Sequence, residues 1–302
     1  MDIFLQVFFT VLIFLGGLIL IYSIFIVRVL LRPNRPTLEE AYQIEIECKG
    51  IDENWIKVNK SKDFIIPIDN KNYLSGSIFY CEKPSNKYII GIHGWGYNRV
   101  GMFKYVDMLR DIGFNVVLYD HRGLGKSSGK IVTLGYREKD DLHLLINYLK
   151  SNHQVDVLGL HGISMGASTA LLYQQNYHGA DFIIADCGYA SLKRLIKEVL
   201  KRGYHLPTFN LLLVEFIIYL VAKFTYNRVS PLENIDQLKC PILYIHGLKD
   251  NLISYQHSID MFLKTKGKKE IILIDGGIHA GAILSDKDKY KKTVQEFILK
   301  NI

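Results

Sequence analysis

The run Gly162-Ile163-Ser164-Met165-Gly166 constrains this chain more than any other stretch, because its flanks leave it one backbone geometry. Residues 155–161 before it are short, apolar and β-branched, as a buried strand of a parallel sheet should be. After it the chain reads as a helix, in which Gly166, Ala167 and Ala170 are small enough to lie close against that sheet. A serine at such a strand-to-helix turn is forced into a strained conformation, and the two glycines remove side chains that would collide across the turn. Its hydroxyl is then held out at the carboxyl end of the strand. The amides that follow begin a helix, so their unpaired N–H groups and the helix dipole favour an anion nearby.

The rest of the chain predicts the sheet this turn belongs to. Strands at 63–68 and 73–81 flank the turn-rich tetrapeptide 69–72 and form an antiparallel hairpin. Strands at 88–93, 115–120, 155–161, 182–186, 242–246 and 270–275 then alternate with helices at 101–112, 137–150, 164–177 and 254–266, with a last helix at 287–299. Such alternation implies an α/β fold with a mostly parallel central sheet covered on both faces. Sites in such sheets lie at the carboxyl ends of the strands. Residues 190–229 interrupt the pattern with a basic helical segment at 192–202, Pro207 and an apolar run at 211–224. Glu215 and the shortness of that run argue against a membrane span. A small helical cap over Ser164 is the expectation.

Residues 3–27 carry no charge, and 25 residues at ~1.5 Å each exceed the ~30 Å hydrocarbon thickness of a bilayer. No basic region precedes the run and no small-residue cleavage site follows it, which argues against a signal peptide. Arg28, Arg32 and Arg35 come directly after, so the positive-inside rule puts the following domain in the cytoplasm. Pro33-Asn34-Arg35-Pro36 forms a stiff link. The expected organisation is a single-pass anchor and juxtamembrane linker over 1–36, then a folded domain over 37–302, with 37–60 as an adaptor into it.

Other function classes find little support. The net charge of +7 comes with lysine runs at 264–269 and 287–292 that read as solvated faces, and no nucleic-acid-binding module is recognisable. Cys48, Cys81, Cys187 and Cys240 form no C-x-x-C pair, and no H-E-x-x-H spacing occurs. No metal, cofactor or disulfide framework is expected.

A serine hydroxyl is a weak nucleophile; it needs a base to take its proton and a carboxylate to orient that base. His279 lies among glycines just after the last predicted strand. His93, His121, His161 and His246 also end strands, and hydrogen-bonded structural roles are the default for each. Asp250, a short loop beyond the penultimate strand, neighbours the His279 loop. Its rival, Asp186, has an alternative role anchoring the base of the cap. Backbone donors for a developing oxyanion would come from Met165, after the serine, and from Trp95 in His93-Gly94-Trp95-Gly96.

Together with the segment from Tyr119 to Gly129, these residues resemble the α/β-hydrolase superfamily over roughly residues 60–300. They resemble more closely the membrane-anchored serine hydrolases of Gram-positive bacteria, relatives of the Bem46-like and serine-aminopeptidase-like groups. The resemblance implies acyl transfer to water with Ser164 as nucleophile, His279 as proton shuttle and Asp250 as its orienting acid, and makes residues 120–129 a structural turn. An apolar cap and a membrane anchor favour a hydrophobic small-molecule or lipid ester, hence a carboxylesterase or lipase-like enzyme. A serine peptidase or thioesterase is the alternative on the same triad, and a non-catalytic membrane-tethered interaction module is the alternative without chemistry.

Overall fold

In the computed structural model, which describes residues 3–203 and 205–302, the uncharged N-terminal run forms one helix, α1 (Ile3–Leu31). It continues one turn past the apolar run and takes in Arg28. Residues 3–18 are all exposed, whereas Ser23, Ile26, Val27 and Leu31 are buried against the rest of the protein. Among the described residues α1 alone is long and apolar enough to cross a membrane.

The segment expected to be an adaptor is part of the packed body. In α2 (Leu38–Glu47), Thr37 Oγ1 accepts from the Glu40 amide while Glu40 Oε2 accepts from the Thr37 amide, a reciprocal cap that starts the helix sharply. It is followed by α3 (Trp55–Val58), whose Trp55 ring stacks on Phe103 at 4.5 Å between centroids.

The sheet follows: β1 (Lys62–Pro67) and β2 (Tyr73–Phe79) form the hairpin, then β3 (Lys87–Ile92), α4 (Phe103–Asp111), β4 (Asn115–Tyr119) and α5 (Glu138–Asn152). Next come β5 (Val157–Ile163), α6 (Met165–Tyr177) and β6 (Phe182–Asp186). The cap consists of α7 (Leu192–Glu198), a π-helical turn over Val199–Gly203, and α8 (Leu211–Ala222). The chain then returns through β7 (Ile242–Gly247), α9 (Gln256–Lys264), β8 (Lys269–Ile274), α10 (Ala282–Ser285) and α11 (Lys287–Asn301).

Eight strands pair in the order β1-β2-β4-β3-β5-β6-β7-β8, with only the β1/β2 and β2/β4 pairs antiparallel. One face packs beneath α4 and α11 through Val106, Leu109, Val294 and Phe297; the other packs beneath α5, α6 and α9 through Leu145, Leu171 and Met261. A third apolar cluster joins the cap to the end of α1.

Strand register positions the site. Ile92 pairs with Gly162, which brings the loop after β3 beside the turn after β5. Gly247 pairs with Ile274, which sets the loops after β7 and β8 side by side. All four loops open at the carboxyl edge, as expected where parallel strands end together.

Candidate active site

Ser164 sits between β5 and α6 with φ 56° and ψ −118°, a conformation that side-chain-bearing residues rarely adopt. Its neighbours show why glycine is required. A Cβ on Gly162 would lie 2.3 Å from the Gly166 carbonyl oxygen, and one on Gly166 would lie 2.0 Å from that of Ile92. The Ser164 amide donates to the Asp186 carbonyl oxygen at 2.8 Å, which holds the turn onto the neighbouring strand.

The histidine and aspartate candidates arrive from the two adjoining loops. His279 Nε2 is 3.0 Å from Ser164 Oγ, and His279 Nδ1 is 2.7 Å from Asp250 Oδ2. Gly276, with φ 73°, and Ala280, with φ 55°, bend the His279 loop back over the sheet edge. Asp250 Oδ1 accepts from the amides of Leu252 and Ile253 at 2.9 and 2.8 Å. Burial alone would raise this carboxyl, but hydrogen bonds from His246, His279 and the Ile253 amide outweigh it and hold the group well below the usual carboxylate range.

His246 is a contributor that its sequence position, at a strand end four residues before Asp250, does not reveal by itself. Its Nε2 lies 3.2 Å from Asp250 Oδ2 and 2.9 Å from the Ile253 carbonyl oxygen, while Nδ1 lies 2.7 Å from Ser258 Oγ. Asp250 is therefore gripped from two sides by imidazoles and from beneath by backbone amides.

Asp186 is held elsewhere. The Tyr290 hydroxyl donates to its Oδ2 at 2.9 Å, and His161 Nε2 lies 3.0 Å from the same hydroxyl. Its Oδ1 is buried without a partner, and among the described residues it makes no hydrogen bond to His279. Burial pushes this carboxyl up to about 6, against the downward pull of Tyr290. The side chain ties β6 to α11 rather than to the base of the cap.

His93 and His121 brace the remaining loop. His93 Nδ1 meets the Gly94 carbonyl oxygen at 2.8 Å, and His93 Nε2 accepts from the His121 amide at 3.0 Å. Burial lowers the pKa of both rings, so they serve as neutral hydrogen-bonding groups. The braced loop approaches the serine closely, since a Cβ on Gly94 would be 3.4 Å from Ser164 Cβ. Among the described residues neither the Trp95 nor the Met165 amide donates a hydrogen bond.

A cavity of about 260 Å³ opens above Ser164 and Met165. Its walls are Leu192, Ile196 and Leu200 from the cap and, unforeseen from the sequence, Phe25, Ile26, Val29 and Leu30 from α1. Among the described residues no charged one lines it. The two polar rings in the lining are satisfied by backbone: Tyr189 Oη donates to the Leu134 carbonyl oxygen, and Trp95 Nε1 to that of Leu30 at 2.9 Å. An uncharged run reads as lipid-facing on every side, and its polar residues do not separate one face from another: Gln6 and Thr10 are exposed, whereas Ser23 is buried against the cap. Ser23 Oγ accepts from Asn210 Nδ2 at 2.7 Å.

Cys187, Asp250 and His279 offer ligand atoms within 4.8 Å of one another. Burial raises the Cys187 thiol well above its ordinary range, and the other two groups are already paired. This donor set suits a hydrogen-bonded relay better than a metal ion.

A family model described as serine aminopeptidase, S33, matches residues 83–203. A Bacillus subtilis protein named only as uncharacterized protein YqkD is 39% identical over 215 residues, 70% of each chain. The esterase Pf2001 of Pyrococcus furiosus, in one of its crystal forms, superposes with a TM-score of 0.67 at 25% identity, covering 80% of this chain and 93% of that one. The chain belongs to the α/β-hydrolase superfamily. Est1E of Butyrivibrio proteoclasticus, solved with ferulic acid bound, matches at 18% identity with a TM-score of 0.61 over 79% of this chain and 98% of that one, which bears on the fold alone. In this hydrolase the matched family segment runs from the strand before the His93 loop, through the Ser164 turn, into the cap.

Proposed function

We propose that this hydrolase is a serine carboxylesterase, lipase-like in its preference for hydrophobic acyl groups, with Ser164 as nucleophile, His279 as general base and acid, and Asp250 as the carboxylate that orients His279. The observation that carries the reading is the continuous chain Ser164 Oγ to His279 Nε2 at 3.0 Å and His279 Nδ1 to Asp250 Oδ2 at 2.7 Å.

His279 Nε2 takes the Ser164 proton as Oγ bonds to the substrate carbonyl carbon. The Trp95 and Met165 amides receive the resulting oxyanion. Collapse breaks the bond to the alkoxide oxygen, which leaves with the proton from His279, and an acyl-Ser164 ester remains. Water, deprotonated by His279, attacks that ester; its collapse returns the proton to Ser164 and releases the carboxylic acid.

The uncharged cavity supports an apolar acyl group, whereas an aminopeptidase needs a carboxylate to hold the substrate ammonium. The S33 family match keeps a serine peptidase as the second reading, and a thioesterase shares the same chemistry. A non-catalytic tethered module is the reading that inactivity would favour.

We place residues 1–36 as a single-pass cell-membrane anchor and linker, and 37–302 as the hydrolase domain with its cap at 190–229. The exposed Arg28, Arg32 and Arg35 support a cytoplasmic domain. The burial of Ser23, Ile26, Val27 and Leu31 supports an anchor that is retained, since signal-peptide cleavage would strip a wall from the cavity.

The test is labelling of the full-length protein and of Ser164→Ala with a fluorophosphonate probe, followed by turnover of nitrophenyl esters of increasing chain length. Labelling should require Ser164, and the substitution should lower kcat by on the order of 10⁶-fold. Equal labelling of both proteins would sink the assignment, and hydrolysis of aminoacyl nitroanilides in preference to esters would favour the peptidase.

A further inference from the structure

The cap carries a second apolar surface that the cavity does not use. Along α8, Leu212, Phe216 and Leu220 are 76%, 56% and 51% exposed at helical spacing, and Phe209, just before the helix, is 66% exposed. The opposite face, through Val214, Ile218 and Ala222, is buried in the cluster that includes the end of α1. Twelve residues make a helix of only ~18 Å, too short to cross a bilayer. Such a face is covered by lying in the membrane interface.

With α1 seated across a bilayer as proposed above, α8 falls at the interface. About 20 residues of helix span the hydrocarbon. Whichever 20 of the 25 uncharged residues occupy it, Phe25 falls within about 5 Å of its edge at ~1.5 Å per residue. At that level α1 is joined to the approach to α8: Tyr22 Oη donates to the Pro207 carbonyl oxygen at 3.1 Å, and Asn210 Nδ2 donates to Ser23 Oγ at 2.7 Å. Exposed Lys201, Arg202 and Lys223 flank the apolar face and match an anionic leaflet. The cavity reaches the same level, because Phe25 and Val29, 59% and 41% exposed, form part of its lining.

We infer that α8 lies in the headgroup layer of the membrane that α1 crosses, and that the cavity takes its substrate laterally from that membrane, between α1 and the cap. The substrate class is a bilayer-resident amphiphile bearing a long-chain carboxylic ester. Its acyl chain passes Phe25 and Val29 into the cavity, which sets the ester carbonyl at Ser164. This deepens the esterase reading and rests on it. The bilayer fits better than a second protein because α8 packs, through its other face, on the end of a helix that is itself long enough to span.

The test uses the full-length protein in phosphatidylcholine–phosphatidylglycerol vesicles, with Leu212→Glu and Phe216→Glu, neither of which lines the cavity. Nitrophenyl butyrate supplied from water should be hydrolysed within about twofold of the parent rate, while nitrophenyl palmitate held in the vesicles should react about tenfold more slowly or worse. Separately, Phe216→Trp should add indole fluorescence that brominated lipids quench. Equal palmitate turnover by parent and variants would overturn the lateral route. Added fluorescence with no quenching would overturn the seating of α8. Loss of Ser164-dependent turnover of both esters in the parent would instead bring down the esterase reading and the substrate class with it, while quenching still judges the seating.

Discussion

Trp95 Nε1 donates to the Leu30 carbonyl oxygen at 2.9 Å, so the loop proposed to stabilise the oxyanion is tied to the last turn of the helix proposed to anchor the protein. The tie is reinforced nearby: the Val132 amide donates to the Leu31 carbonyl oxygen at 2.9 Å, and Arg35 Nη2 to that of Lys130 at 2.7 Å. The end of α1 and the residues just after it are therefore joined both to the Trp95 loop and to residues 130–132.

Trp95→Phe keeps a ring and the backbone amide but frees the Leu30 carbonyl. One such hydrogen bond contributes ~1 kcal/mol, which predicts a fall of about 2–4 °C in the thermal midpoint. Differential scanning fluorimetry in detergent measures it; an unchanged midpoint would mean that the tie carries no stability.

Asp250→Asn and Asp186→Asn separate the two candidate acids. Asn at 250 reverses the hydrogen-bonding sense towards His279 Nδ1, and kcat should fall by about 10⁴-fold. Asp186 bonds Tyr290 instead, so its substitution should leave kcat within about tenfold. A larger loss at 186, measured on nitrophenyl butyrate, would reassign the acid.

Asp186 should also shape stability against pH. Its folded pKa of about 6 lies above the ordinary carboxyl value of 3.8, so between those values the folded protein holds a proton that the unfolded chain has released. Asp186 therefore contributes stability that is lost as pH rises through this window, by roughly 3 kcal/mol at most, against the opposite slope from the buried histidines whose pKa burial lowers. Burial raises Asp141 to about 6 as well, and that contribution stays in both proteins, so Asp186→Asn should gain stability relative to the parent as pH rises through the window. Thermal midpoints from pH 4.5 to 7.5 test this, and parallel curves for parent and variant would contradict it.

Gly166→Ala inserts a methyl group 2.0 Å from the Ile92 carbonyl oxygen, against backbone that cannot rotate away. A loss of about 3 kcal/mol or more is expected, with Ser164 displaced from His279. Urea unfolding and fluorophosphonate labelling should both report it. A stable, fully labelled variant would show that the turn has more room than its geometry implies.

Much of this protein is legible in its sequence. The eight strands, the five major sheet-covering helices and the interruption at 190–229 follow from apolar periodicity, which is a local property. The demand for glycine at 162 and 166 was legible too, because a strand meeting a helix in so few residues leaves no space for side chains. The Ser164, Asp250 and His279 candidates followed from loop order, and the fold brings them within hydrogen-bonding distance of one another.

What lay beyond the sequence depends on contacts between segments far apart in the chain. Whether His246 grips Asp250, whether Asp186 points to His279 or to Tyr290, and whether residues 25–30 face lipid or a cavity are all set by which surfaces pack together. Residue type constrains the local backbone because sterics act over a few bonds. The partner of a buried polar group or an apolar face is chosen among many chemically equivalent candidates, and only the packed three-dimensional arrangement makes that choice.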